Sequence, residues 1–359
     1  MKNEDLGYDN FFESNCLKLG LSSFQIARVI AEFKGAYKIK NTEGEYLAKI
    51  TGKQIFQAEG RKDYPAVGDW VAITQLDEEN AIIHKIFPRK TILKRKYCGK
   101  TDSQIIATNI DETFIVQSIG RDYNLNRFER YLTVAIDGGI KPVIILNKTD
   151  LMSGSELNET LSAIKKRFKD VDVIATSTLT NEGMDELKKH IERGKTYCFL
   201  GSSGVGKSSL INNLIGENRI RTEDIGERTS RGKHVTTSRE MYIIENGGIV
   251  IDNPGMREIG MTDANIGVDS FFDEIAELAQ NCKFRNCTHT NEPGCEVLSS
   301  LKSGSLSEER YSNCIHLKKE IEYYKMSEVE KREKNRKKGN FIKNAKKDLK
   351  KFKHKDFDY

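Results

Sequence analysis

The segment Gly201-Ser202-Ser203-Gly204-Val205-Gly206-Lys207-Ser208 restricts the fold of this chain more than any other. It fits the pattern G-x-x-x-x-G-K-[ST]. The apolar strand Thr196–Leu200 precedes it and the helical pattern Ser208–Ile215 follows. Glycines at these positions let backbone N–H groups turn inward around phosphates, and the helix N-terminus adds its positive dipole end. Such a loop works only between a strand and a helix of an open α/β sheet, so residues 101–265 are expected to alternate strand and helix. The expected elements are strands Glu112–Ser118, Pro142–Leu146, Val171–Ala175, Glu240–Glu245 and Gly248–Asp252, and helices Asn124–Asp137, Ser155–Phe168 and Gly183–Arg193. Lys207 is placed to reach the β- and γ-phosphates, and the Ser208 hydroxyl to ligate Mg²⁺. Ser209 completes the loop.

The loop selects a nucleoside triphosphate without choosing its base. Asn147-Lys148-Thr149-Asp150, at the end of the strand Pro142–Leu146, makes that choice. A carboxylate there accepts from the N1–H and the exocyclic amine of guanine. Adenine would leave the charge unpaired, a mismatch of several kcal/mol.

Asn147–Asp150 looks like the guanine motif of translation-factor-type GTPases. Ser177-Thr178-Leu179 resembles their Ser-Ala-Lys segment, with Thr178 in place of the usual alanine. Asp252-Asn253-Pro254-Gly255 resembles their Asp-x-x-Gly switch. That likeness implies that Asp252 holds Mg²⁺ through water and that the Gly255 N–H senses the γ-phosphate. Thr236 or Thr237 is then the switch threonine on the metal. The order is inverted: the base motif and its Ser-Thr-Leu partner precede the phosphate loop. A site built from strand ends survives such a circular permutation. Met256 follows Gly255 where a Ras-type enzyme carries the glutamine that orients water, so slow unassisted hydrolysis is expected. His234, in Arg231-Gly232-Lys233-His234, either positions that water or is an ordinary loop residue.

The flanks read differently. Residues 1–23 are polar and expected to form a loose lead-in. Phe24–Glu32, Ala36–Lys40, Glu45–Ile50, Asp69–Gln75 and Ala81–Phe87 read as strands, with Asn41–Gly44 as a hairpin turn. Five short strands within residues 24–100 suggest an OB-fold barrel that binds RNA, with Trp70 in its core. After residue 266 the chain is helix-rich to about residue 330, with one long charged helix expected over Ser307–Lys338. Cys282-x₄-Cys287-x-His289-x₅-Cys295 gathers three thiols and an imidazole, a donor set for one structural Zn²⁺ with no open position. The chain holds seven cysteines, and an odd count fits thiols and metal ligands better than a disulfide framework. Net charge is +5, but residues 331–359 carry thirteen Lys/Arg against four Asp/Glu, a basic tail suited to a polyanion. No apolar run is long enough to span a membrane, and Met1–Asp5 opens no secretory signal, so a cytoplasmic monomer is the expectation.

The whole combination is an OB-like module, a permuted GTPase and a helical Cys₃His module. It resembles the bacterial ribosome small subunit-dependent GTPase A family over about residues 24–320. Pro65–Val71, Gly201–Ser209, Arg231–His234, Asp252–Glu258 and Cys282–His289 carry the likeness. The resemblance implies GTP/GDP as ligands, Mg²⁺ with GTP, and late maturation of the small (30S) ribosomal subunit with 16S rRNA as partner. Val235, where a threonine run often begins in that family, and the long basic tail depart from the pattern. Two other readings of the residues are a metabolic phosphotransferase and an RNA-binding scaffold with a vestigial nucleotide site.

Overall fold

A computed structural model describes residues 1–96, 103–120, 123–217, 220, 239–253 and 265–327, with 329–334, 336, 339, 342 and 343 beyond them. In chain order the elements are α1 (Asn10–Lys18), β1 (Gln25–Phe33), β2 (Ala36–Lys40), β3 (Glu45–Ile50), α2 (Gly52–Gln57), β4 (Trp70–Gln75), β5 (Asn80–Ile86), β6 (Ile92–Lys96), β7 (Ser103–Thr108) and β8 (Glu112–Ser118). Then come α3 (Leu125–Asp137), β9 (Lys141–Asn147), α4 (Gly154–Arg167), β10 (Asp172–Thr176), α5 (Met184–His190), β11 (Thr196–Leu200), α6 (Lys207–Ile215), β12 (Glu240–Ile243) and β13 (Ile249–Asp252). Helices α7 (Asn265–Phe271), α8 (Asp273–Ala279), α9 (Glu296–Ser303) and α10 (Glu308–Lys325) follow.

The five N-terminal strands close into a barrel in the order β1-β2-β3-β5-β4, with β4 returning to β1. Only the β3–β5 pairing is parallel. Alternation builds the interior: Tyr37 and Ile39 of β2 point in, with Tyr46 and Ala48 of β3 and Val71 and Ile73 of β4. This is the expected OB-like barrel. Trp70, expected inside it, is fully buried but lies on the outer wall, packed with Leu6, Tyr8, Phe12 and Phe87. The cause is the first twenty residues, which are not a loose lead-in. Asp9 caps α1 by accepting from the Phe11 N–H, and Tyr8, Phe12 and Cys16 fall four apart on one face. That face covers the barrel wall.

Arg28, on β1, faces out of the barrel and is 1% exposed. Its guanidinium donates to the carbonyls of Leu6, Gly68 and Asn109. It ties together the N-terminal segment, the β4 approach and the strand that leads out of the barrel. Burial lowers its pKa to about 10, with Asp111 the main opposing charge.

The central unit is a sheet in the order β10-β9-β8-β11-β13-β12. The first five strands are parallel, and β12 runs antiparallel to β13. Its strands are buried on both faces and read as apolar runs, such as Phe114–Val116 and Val143–Leu146. Helices α5 and α6 cover one face through Met184, Leu187, Leu210 and Leu214. Helices α3 and α4 cover the other through Phe128, Leu132 and Ile164. The C-terminal helices pack on α3. Gly267 permits this closeness, since a Cβ there would stand 2.3 Å from the Thr133 carbonyl oxygen. The long helix expected over Ser307–Lys338 stops at Lys325, because Ser327 and Glu330 form a new reciprocal cap. No helix among the described residues is long and apolar enough to cross a membrane.

Candidate nucleotide and metal sites

Strand β11 sits mid-sheet between β8 and β13, so its C-terminal end opens into the crevice where α/β folds hold ligands. Gly201 follows it at φ 150, and a Cβ there would lie 2.2 Å from the Val116 carbonyl oxygen of β8. Gly206, at φ 94, would bring its Cβ 2.3 Å from Asn147 Nδ2. Both positions therefore demand glycine. Helix α6 begins at Lys207, one residue before the expected start, with no side-chain cap on its first N–H groups. These groups are free to face an anion. Lys207 Nζ donates to the carbonyls of Gly201 (2.8 Å) and Ser202 (2.7 Å), which holds the ammonium across the loop. Burial lowers its pKa to about 8, against the opposing pull of Asp252. Ser203 and Gly204 lie exposed at the tip, Val205 is buried, and Ser202, Ser208 and Ser209 are half-buried.

The base motif is wired to this loop. Asn147 is fully buried, and both ends of its amide are used. Nδ2 donates to the Val205 carbonyl at 2.8 Å, and Oδ1 accepts from the Thr176 hydroxyl at 3.1 Å. Lys148 takes the left-handed conformation at φ 62 and donates to the Gly204 carbonyl at 2.8 Å. Asn147 and Lys148 thus set the position of the phosphate loop against β9. Thr149 is buried in the short turn that follows, which also carries Asp150. Ser177 Oγ donates to Asp150 Oδ1 at 2.5 Å and accepts from the N–H groups of Leu179 and Thr180. The carboxylate is fixed through one oxygen, and Thr178 sits half-buried beside it. Gly183 at φ 70 closes this loop, where a Cβ would overlap the Ala175 carbonyl at 1.8 Å.

Asp252 ends β13 beside the loop. Burial raises its pKa to about 6; Lys207 pulls it down and Glu240 pushes it up. Asn253 is buried and donates to Cys198 Sγ at 2.8 Å, beneath the loop. His234, Thr236, Thr237, Gly255 and Met256 lie outside the described residues. The described residues gather a glycine cradle, an ammonium, a helix N-terminus and two carboxylates, one after β9 and one at the end of β13, on the same edge of the sheet. Anionic phosphates, a base with paired donors, and a hard cation are the chemistry they fit.

The second cluster lies in the C-terminal helices. The ligand atoms of Cys282, Cys287, His289 and Cys295 all lie within 4.8 Å of one another. Cys282 Sγ stands 3.8 Å from Cys295 Sγ, and His289 Nδ1 is 3.6 and 3.5 Å from those two sulfurs. A tetrahedral ion with Zn–S near 2.3 Å and Zn–N near 2.0 Å requires edges of about 3.8 and 3.5 Å. The donor set therefore fits a metal ion. His289 adopts φ 59, and its carbonyl accepts from the Tyr311 hydroxyl at 2.6 Å. Cys295 caps α9 through its sulfur.

Residues 86–262 match the family model described as RsgA GTPase. Over 300 residues the chain is 42% identical to a small ribosomal subunit biogenesis GTPase, RsgA 2 of Lactiplantibacillus plantarum, covering 83% of this chain and 84% of that one. The chain belongs to the RsgA GTPase family. Its likeness to RsgA 2 of Vibrio vulnificus runs further, at 35% identity over 97% of this chain and 96% of the relative. Two solved structures share the fold, both at 24% identity. YjeQ from Thermotoga maritima gives a TM-score of 0.60 over 83% of this chain and 98% of its own. YloQ, described as a circularly permuted GTPase, gives 0.59 over 85% and 98%. The permutation inferred from motif order, the OB-like barrel and the GTP hydrolase class are those of the RsgA family.

Proposed function

We propose that this RsgA-family GTPase assists late maturation of the small ribosomal subunit, docking on 16S rRNA and hydrolysing GTP when docked. The observation that carries the reading is the joining of Asp150, the Gly201–Ser209 loop and Asp252 at one sheet edge, in a chain whose relatives are named small ribosomal subunit biogenesis GTPases. The proposed division is 24–100 for the RNA-binding barrel, 101–265 for the GTPase, 266–330 for the metal-binding helices and 331–359 for the tail. Residues 1–23 join the barrel, since α1 is packed on it. The cytoplasm is where such a partner is met.

Within this reading, Asp150 accepts from the guanine edge while Ser177 and Thr178 line it. The N–H groups of Gly201–Ser209 cradle the phosphates, and Lys207 turns from the Gly201 and Ser202 carbonyls to the β- and γ-oxygens. Asn147 and Lys148 act through the loop they hold. Mg²⁺, when bound, neutralises phosphate charge; Ser208, Asp252 and Thr236 or Thr237 would hold it. Gly255 senses the γ-phosphate, and His234 is the candidate for orienting water. Met256 cannot orient water, so unassisted turnover is slow and the subunit supplies the stimulus. Zn²⁺ at Cys282, Cys287, His289 and Cys295 has a structural part, tying the α8–α9 loop together.

Turnover of GTP measured alone, with purified small subunits and with large subunits tests the proposal. Stimulation by small subunits only is expected. Equal rates in all three would overturn it.

A further inference from the structure

Strand β1 belongs to two sheets. One edge pairs with β2 from Arg28 to Phe33. The other pairs with β4 through Gln25–Arg28, closing the barrel, and then leaves it. Ala31 pairs with Glu240 of β12, and Glu240 pairs on its far side with Asp252 of β13. Ala31, Glu240 and Asp252 form one lateral row from the barrel wall to the carboxylate at the nucleotide site. A register irregularity between Val29 and Ala31 marks the point where β1 changes partner.

The next position along reinforces the row. Arg239 Nη1 lies 3.4 Å from Glu32 Oε2 and also donates to the Ile105 carbonyl of β7 at 3.5 Å. The Arg239 side chain is 13% exposed. Burial raises the Glu32 pKa and lowers that of Arg239, and the Glu32 side chain is 39% exposed, so the pair is partly screened and acts by position more than by strength. Ile30 and Met241 meet in the same apolar core. Arg239 stands two residues after Thr237, so β12 is the first described element after the two threonines assigned to the switch.

We infer that the barrel reads the nucleotide site through this row, with β1 as the receiving strand and Glu32–Arg239 as the positioning pair. The inference rests on the nucleotide-site reading above. A γ-phosphate that moves Asp252 displaces β12, which is paired to it through Glu240. The barrel strand bonded to β12 must follow or break its pairing. Coupling of this kind is reciprocal: a ligand on the barrel that holds β1 alters the preference between GTP and GDP by the same factor.

Hydrogen exchange on the full chain, loaded with Mg²⁺–GDP or with Mg²⁺ and a non-hydrolysable GTP analogue, tests this. Residues 201–209 should be protected by both nucleotides. Residues 25–33 should differ between the two by about fivefold or more. Glu32→Gln and Arg239→Gln should each reduce that difference to under about twofold with 201–209 protection intact, and the charge-exchanged Glu32→Arg/Arg239→Glu chain should recover it. No difference at 25–33 in the unaltered chain, or a difference unchanged in both single variants, overturns the coupling. Absence of protection at 201–209 overturns the nucleotide-site reading instead.

Discussion

Replacing Glu129 by alanine should release the C-terminal helices from the GTPase sheet. Glu129 lies on α3 with its side chain fully buried. Oε1 accepts from Arg167 Nε at 2.8 Å, Oε2 accepts from Asn313 Nδ2 of α10, and Arg310 of α10 stands 3.9 Å away. Removing one partner of a buried ion pair costs about 3–5 kcal/mol. The lower end applies here, because Arg167 keeps Glu309 and Asn126, and Arg310 keeps Glu274. A loss of about 3 kcal/mol corresponds to roughly a hundredfold rise in local opening. Glu129→Gln keeps the shape and an acceptor, and should cost about 1–2 kcal/mol. The assay is amide exchange across α10 in the metal-loaded chain, with β8 and β9 as internal reference. Exchange in α10 should accelerate about a hundredfold in Glu129→Ala and much less in Glu129→Gln, with β8 and β9 unaffected. Unchanged α10 exchange, or the same acceleration through the whole sheet, would refute the assignment of Glu129 as the local clasp.

Three further outcomes are expected. On the proposed base contact, Asp150→Ala would delete two charge-assisted hydrogen bonds to guanine and should weaken GDP binding by about 3 kcal/mol, roughly a hundredfold, in a fluorescent-nucleotide titration; an equal loss for ADP would count against base recognition. Burial raises the pKa of the Asp252 carboxyl from its ordinary 3.8 to about 6. Its protonated form is thus favoured by folding, and that contribution is present at low pH and lost as pH rises through about 6. A cation must displace the proton, so Mg²⁺ affinity of the GDP complex should be flat above about pH 6 and fall up to about tenfold per pH unit below it; a flat profile down to pH 5 would show that Asp252 does not hold the ion. Elemental analysis should find one zinc per chain. Its removal by a chelator should raise exchange in residues 281–300 while GDP affinity stays within about twofold; a chain isolated without zinc would remove the metal from the C-terminal module.

The candidate nucleotide and metal sites can be read from the sequence because their chemistry fixes residue types at short spacing. A phosphate cradle needs glycines and a lysine within eight positions, and a tetrahedral ion needs four soft donors nearby. The barrel strands were legible from alternation, as in Ala36–Lys40. Features set by distant backbone approach left no local trace. Nothing around Arg28 predicts that its guanidinium will meet carbonyls of Leu6 and Asn109. Asn147 reads as a base contact, while its amide bonds the phosphate loop and β10. Gly183 and Gly267 look like ordinary loop and helix glycines until Ala175 and Thr133 arrive beside them. Other signals were available. Tyr8, Phe12 and Cys16 recur every four residues behind a capping Asp9, and Ser327-Glu328-Val329-Glu330 is a capping box that ends one helix and starts another. A polar average over residues 1–23 concealed the first, and uniform charge over Ser307–Lys338 concealed the second.

The buried guanidinium of Arg28 also orders events during synthesis. One of its acceptors, Asn109, lies 81 residues downstream, and Asp5 pairs with Arg193 at a separation of 188. The barrel strands can pair as they leave the exit tunnel, since their partners are near in sequence. The residues ahead of α1 cannot complete their contacts until the strand leading into the phosphate loop has been made. The apolar cover over Trp70 is local, drawn from residues 6–87, and closes with the barrel, while the ion pair of Asp5 with Arg193 fastens only after the later sheet is made.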